Sequence, residues 1–230
     1  MRRKKDIKKC LNGMIMLAII YVSGQALLAE ERRKKVIDED EITQTMKDMG
    51  IRLSEVSSVE FIKSDRSVIV TELKDLTRRS TSIIIGRPLA NKSYYDDELD
   101  EVRTMRLVQV QTVLKGNMEN GNTIELEMPG GAYVRRNGET GYRRMSESRA
   151  VREEVSYFIF MRESKDNEKT IYQPSAGIQG IFEIDPETHA ILPCDMVKSS
   201  PMVKRYENMV LEDFMNELMT ALSAESSQRW

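Results

Sequence analysis

The sequence predicts a mainly β, α+β protein: a small antiparallel barrel or sandwich with flanking helices, behind an N-terminal targeting segment. Three observations predict it. Short β-branched or alternating runs separated by turn signals recur between residues 59 and 192. After Tyr206 the apolar period changes to that of a helix. The first residues join a basic stretch to an apolar one.

Residues 2 to 9 carry two arginines and four lysines, and Leu11 to Gly24 is mostly apolar. Charge followed by an apolar run is the order of a secretory signal. Gly24 and Ala26 suit cleavage after Ala26, and Ala29 offers a second place. Counted through Ala29, the uncharged run approaches the roughly 20 residues of a spanning helix, so residues 11–29 serve equally as an uncleaved anchor. Either way the body is expected outside the cytoplasm, secreted or held to the cell membrane by residues 11–29, with the basic end inside. Cys10 follows Lys8 and Lys9, which excludes a lipoprotein box.

Composition narrows the function classes. The chain has 230 residues, 40% apolar and 31% charged, with a net charge of -2 and 6% aromatics. That is a water-soluble body with neither the basic field nor the aromatic platforms of a nucleic-acid binder. The two cysteines, Cys10 and Cys194, give no disulfide framework.

The expected organisation is a signal or anchor at 1–29, a charged and partly helical linker at 30–58, a β-rich domain at 59–192, and a connection with an amphipathic helix at 193–230. Val59–Ile62 and Ser67–Thr71 are short enough and close enough to pair as a hairpin. Glu72–Arg79 reads as a helix, with Leu73 and Leu76 on one face and basic residues towards its end. Ser82–Ile85 is a strand ending at Gly86. Met105–Leu114 alternates, with Val108 and Val110 on its apolar face. Asn120-Gly121 is a tight turn into Thr123–Met128, which Pro129-Gly130-Gly131 ends. Ala132–Val134 is placed to pair across Asn137-Gly138 with the region of Tyr142. Val155–Met161 is the densest apolar run and is expected to be the central buried strand. Thr170–Gln173, Gly180–Ile184 and His189–Leu192 follow as strands. Tyr206, Val210, Phe214, Leu218 and Leu222 form the stripe of one helix over 206–223.

Several landmarks together carry a resemblance. They are Ile-Ile-Ile-Gly-Arg-Pro-Leu at 83 to 89, Val-Gln-Thr-Val-Leu-Lys-Gly at 110 to 116, and Asn-Thr-Ile-Glu-Leu-Glu-Met-Pro-Gly-Gly at 122 to 131. Tyr-Phe-Ile-Phe-Met at 157 to 161 and Gly-Ile-Gln-Gly-Ile-Phe-Glu-Ile at 177 to 184 complete them. The region from 70 to 192 loosely resembles small exported bacterial β-barrel domains, similar in outline to OB-fold or netrin-like modules. The resemblance implies an OB-like barrel. It implies no catalytic residue, because these motifs are strand ends and breaks.

Candidate sites are sparse. Asp96, Asp97 and Asp100, with Glu98 and Glu101 between and beside them, could hold a metal ion, although the run lacks the glycine and alternate spacing of an EF-hand loop. A solvated connection between two strands is the simpler reading. His189 is the lone histidine; with Cys194 and Asp195 it matches no standard zinc spacing. Arg135, Arg136, Arg143, Arg144, Arg149 and Arg152 could meet an anionic partner, but Glu139, Glu147, Glu153 and Glu154 among them fit an ordinary mixed surface. No catalytic residue and no cofactor is expected. The function expected is extracytoplasmic binding of a protein or an envelope polymer, or a structural role there. An envelope enzyme with an acidic, metal-assisted site is the alternative.

Overall fold

The computed structural model describes residues 58–62, 69–145, 148–153, 155–166 and 169–227. The chain divides into two units, Met1–Gln44 and Thr45–Trp230, and all described residues belong to the second. The segment 1–29 and the linker up to residue 57 lie outside them. Among the described residues no helix is long and apolar enough to cross a membrane.

The protein is mainly β, with one large mixed sheet, one small sheet and few helices. The long strands are β2 (Ser82–Asp96), β3 (Glu101–Lys115), β4 (Thr123–Pro129), β7 (Tyr157–Asp166) and β8 (Lys169–Ile178). β2, β3 and β4 form an antiparallel meander, and β7 returns to lie beside β2. That spatial order is a Greek key. β8 folds back on β7 and reaches β4, so the five strands close into a ring. The closing pair, β4 with β8, is parallel. The ladder is therefore mixed rather than wholly antiparallel. A chain that leaves β7 through a hairpin can meet β4 only in that direction.

Beyond the ring, β9 (Ile181–Ile184) pairs with β7, β10 (Ala190–Pro193) with β9, and β11 (Met209–Val210) with β10. A second sheet joins β1 (Ser58–Ile62), β6 (Thr140–Met145) and β5 (Gly131–Val134). β5 and β6 pair as the sequence suggests, with Ala132 opposite Tyr142. The expected hairpin partner of β1, Ser67–Thr71, is described only over residues 69–71, which form no strand. β1 lies parallel to β6, from Ser58 opposite Gly141 to Ile62 opposite Met145. There its Glu60 meets Arg143, an attraction that a local hairpin would forgo.

β2 runs ten residues beyond its expected end. Gly86 and Pro88 sit at register shifts, so they bend the strand without ending it. The small sheet rests on the far half of the β2–β3 hairpin. At Gly131, where φ is +125°, a Cβ would lie 2.2 Å from both Ser93 Oγ and Thr104 Oγ1. The approach therefore requires glycine.

β7 separates two cores. Tyr157, Ile159 and Met161 face the barrel interior with Ile84, Val108, Val110, Ile124, Leu126 and Ile181. Phe158 and Phe160 face outwards, where α1 (Leu73–Arg79), α2 (Pro201–Tyr206) and α3 (Leu211–Ser227) cover them. All five side chains are fully buried, as expected for the densest apolar run.

The C-terminal stripe packs within the chain, but on two helices. Tyr206 ends α2, and Asn208 takes a φ of +63°, which asparagine tolerates better than most residues. The edge of β10 then claims the next two residues as β11. Val210 is consequently 59% exposed, whereas Phe214 and Leu218 are fully buried. Phe214 packs against Phe158 and Phe182 with tilted rings and edge-on against Tyr206, with centroids 4.9, 5.2 and 5.5 Å away. The Tyr206 hydroxyl accepts the first amide of α1, from Leu73, at 3.2 Å. Lys115 Nζ ties the other end, donating to Thr77 O and to Glu225.

Phe214→Ala should cost about 3–5 kcal/mol in chemical denaturation, the range for emptying a buried aromatic site. Val210→Ala should cost less than about 0.5 kcal/mol, as for an exposed side chain. Equal effects at the two positions would contradict the break between α2 and α3.

Candidate functional site

The ring closes weakly at one seam. β4 and β8 share a single residue pair, Leu126 with Tyr172, before the strands part. A proline stands on each side of the opening, Pro129 in β4 and Pro174 in β8. Proline has no N–H to give to a ladder, so neither position can extend the pairing by donating. The gap is a cleft of about 540 Å³, within the roughly 300–1,000 Å³ of small-ligand sites. Its apolar lining includes Val102, Met128, Met145 and Ile178.

Side chains stitch the seam that the backbone leaves open. Lys169 of β8 pairs with Glu125 of β4 at 2.6 Å. One step along, Glu127 accepts from Arg103 Nη1 and Gln173 Nε2, both at 3.1 Å, and from the Tyr94 hydroxyl at 3.3 Å. Gln173 Oε1 in turn accepts from Arg162 at 3.3 Å, and Arg103 also holds Glu101 at 2.8 Å. The result is a hydrogen-bonded belt across β2, β3, β4, β8 and β7 that borders the cleft. Period-2 alternation predicts that Glu125 and Glu127 point outwards. It does not predict that Tyr94, Arg103 and Gln173, from three other strands, converge on Glu127, since only register brings them together.

The acidic run caps the β2–β3 hairpin, as a connection between two strands. The structure disperses its carboxylates. Asp96 Oδ1 accepts from the amides of Glu98 and Leu99 at 3.0 and 3.1 Å, closing the turn. Asp97 pairs with Arg136 at 2.8 Å. Asp100, at a φ of +52°, accepts from the Tyr95 hydroxyl and from Arg143. Among the described residues no three His, Cys, Asp or Glu side chains converge on a point that could hold a metal ion.

Most of the arginines expected as an anion patch face acidic groups instead. Arg135 pairs with Glu139 at 3.1 Å, and Arg143 with Glu60 at 2.7 Å. Arg152 holds the buried Glu183, whose other oxygen accepts from the Tyr157 hydroxyl at 3.3 Å. Tyr95 and Tyr133 stack at 5.2 Å, and the Arg135 guanidinium lies 5.1 and 5.4 Å from their centroids. This Arg–Tyr–carboxylate cluster fastens the small sheet to the hairpin tip. Gly141 leaves the room that the Tyr133 ring occupies.

His189 and Cys194 lie at opposite ends of β10. His189 sits in the turn before β10, and Cys194 is buried after it, with the whole strand between them. Burial pushes the Cys194 thiol up to about 12, far from thiolate chemistry.

No family model matches the chain, and no curated protein or solved structure matches it.

The cluster at the hairpin tip makes the fold acid-sensitive. The hydrogen bond from Arg143 holds the Glu60 carboxyl below its ordinary 4.5, and those from Tyr95 and Arg143 hold Asp100 below 3.8. A depressed carboxylate pKa gives stability that is present above the unfolded value and lost as pH falls through the folded one. Glu60→Gln with Asp100→Asn should therefore melt below the parent at neutral pH, with the gap closing below about pH 4. A gap independent of pH would rule out these pairs as its source.

Proposed function

We propose that the chain is an extracytoplasmic binding module: an OB-type barrel that receives a protein or envelope-polymer ligand in the cleft between β4 and β8. Support for the OB plan is the five-stranded Greek-key ring, partly open at one seam. Many functions share that plan, so the plan alone assigns none. The observation that carries the proposal is the belt centred on Glu127, which borders the cleft. Three donors from three strands fix this carboxylate. Polar groups fixed before a ligand arrives lose little further freedom on binding, which raises affinity. The basic and then apolar start supports export, with residues 11–29 removed or kept as the membrane anchor.

The test uses the full chain. A reporter fused after Trp230 should be active only outside the cytoplasm, and cytoplasmic activity would remove the export half of the proposal. The detergent-solubilised chain should be retained on purified envelope polymer or envelope protein. Glu101→Trp, which places bulk at the cleft mouth, should lose retention. Met219→Trp, on the exposed face of α3, should keep it. Equal retention of both variants, with unchanged melting, would place the ligand elsewhere.

A further inference from the structure

The charge balance of the cleft restricts what can enter it. Three arginines line it, Arg103, Arg143 and Arg162, and so do three carboxylates, Asp100, Glu101 and Glu127. The formal charges cancel. All three carboxylates are already engaged by arginines of the same set. A polyanion binds by exchanging its counterions for unpaired cations. The cations here are mostly held, so little such affinity is on offer.

The prolines exclude a second class. An extended peptide adds to a sheet through the backbone N–H and C=O groups of an open edge. Pro129 and Pro174 interrupt that donor row on both rims of the opening.

What the cleft does offer is a fixed polar rim over an apolar floor. Arg162 is exposed, and among the described residues the only hydrogen bond of its side chain is the one to Gln173. A guanidinium has five N–H donors, so several remain for a ligand. Gln173 spends one amide hydrogen on Glu127 and has a second. The spare capacity is thus donor-rich in a site without net charge. Its complement is a neutral molecule with hydroxyl and amide oxygens on its edge and C–H groups on its face.

Resting on the reading of the cleft as the ligand site, we infer that its ligand is an uncharged glycan, bound with Arg162 and Gln173 as the direct hydrogen-bond donors.

Calorimetric titration of the full chain in mild detergent tests this. The probe is a β-1,4-linked N-acetylglucosamine hexamer. Polyglutamate and an extended neutral peptide serve as comparisons. The hexamer should bind with an affinity that changes by less than about twofold between low and high salt, as expected where no net charge is neutralised. Arg162→Ala and Gln173→Ala should each weaken it by about tenfold, the scale of one lost hydrogen bond to a charged or fixed polar group. Arg162 is exposed, so that variant should melt like the parent and its loss of binding is not a loss of fold. Preference for polyglutamate with steep salt dependence would overturn the inference, and so would preference for the peptide. If the hexamer fails while envelope retention remains sensitive to Glu101→Trp, the glycan assignment fails and the cleft stands. If retention is also insensitive, the cleft itself is the wrong site.

Discussion

The structure depends on one strand being buried on both faces. β7 gives Tyr157, Ile159 and Met161 to the barrel and Phe158 and Phe160 to the helical layer. A strand with no solvent face must be covered on both sides, which is why the chain builds two cores around it. The helices are therefore not appendages of the barrel. α3 inserts Phe214 against Phe158 and Phe182, and the Tyr206 hydroxyl receives the first amide of α1. Removing either core exposes half of the same strand.

The cleft follows from how the ring closes. Four of its five junctions are antiparallel ladders, and the fifth is a parallel contact with one residue pair. Pro129 and Pro174 keep it from extending. Side chains then take over the bonding, through Lys169 with Glu125 and Gln173 with Glu127. The same groups that hold the barrel shut thus border its opening. A site built in this way is fixed by the register of five strands, and the loops contribute less.

Much of the fold is legible in the sequence because it is local. The apolar density of Val155–Met161 marks the central strand, and the alternation at Thr123–Met128 separates its two faces. Asn137-Gly138 marks the β5–β6 hairpin. What escapes is non-local. β2 passes through Gly86 and Pro88 because β3 holds it in place on either side of the bulges. β1 pairs with β6, distant in sequence, where Glu60 finds Arg143. The helix expected over 206–223 breaks because β10 has an edge to fill. The belt around Glu127 has no signature at all, since its members are scattered between residues 94 and 173. The acidic run at 96–101 is conspicuous in the sequence, yet its carboxylates close a turn and hold arginines.

Native-state hydrogen exchange tests most directly whether the barrel and the helical layer are one cooperative structure joined at β7. Amides of Ile84 and Ile85 in β2, Phe158 to Met161 in β7 and Glu217 to Leu222 in α3 should share one opening free energy and one dependence on denaturant, the mark of a single unfolding unit. Exchange of the α3 amides through a separate, lower-energy opening, with β2 and β7 still protected, would contradict it. The helices would then be a layer laid on a barrel that stands without them.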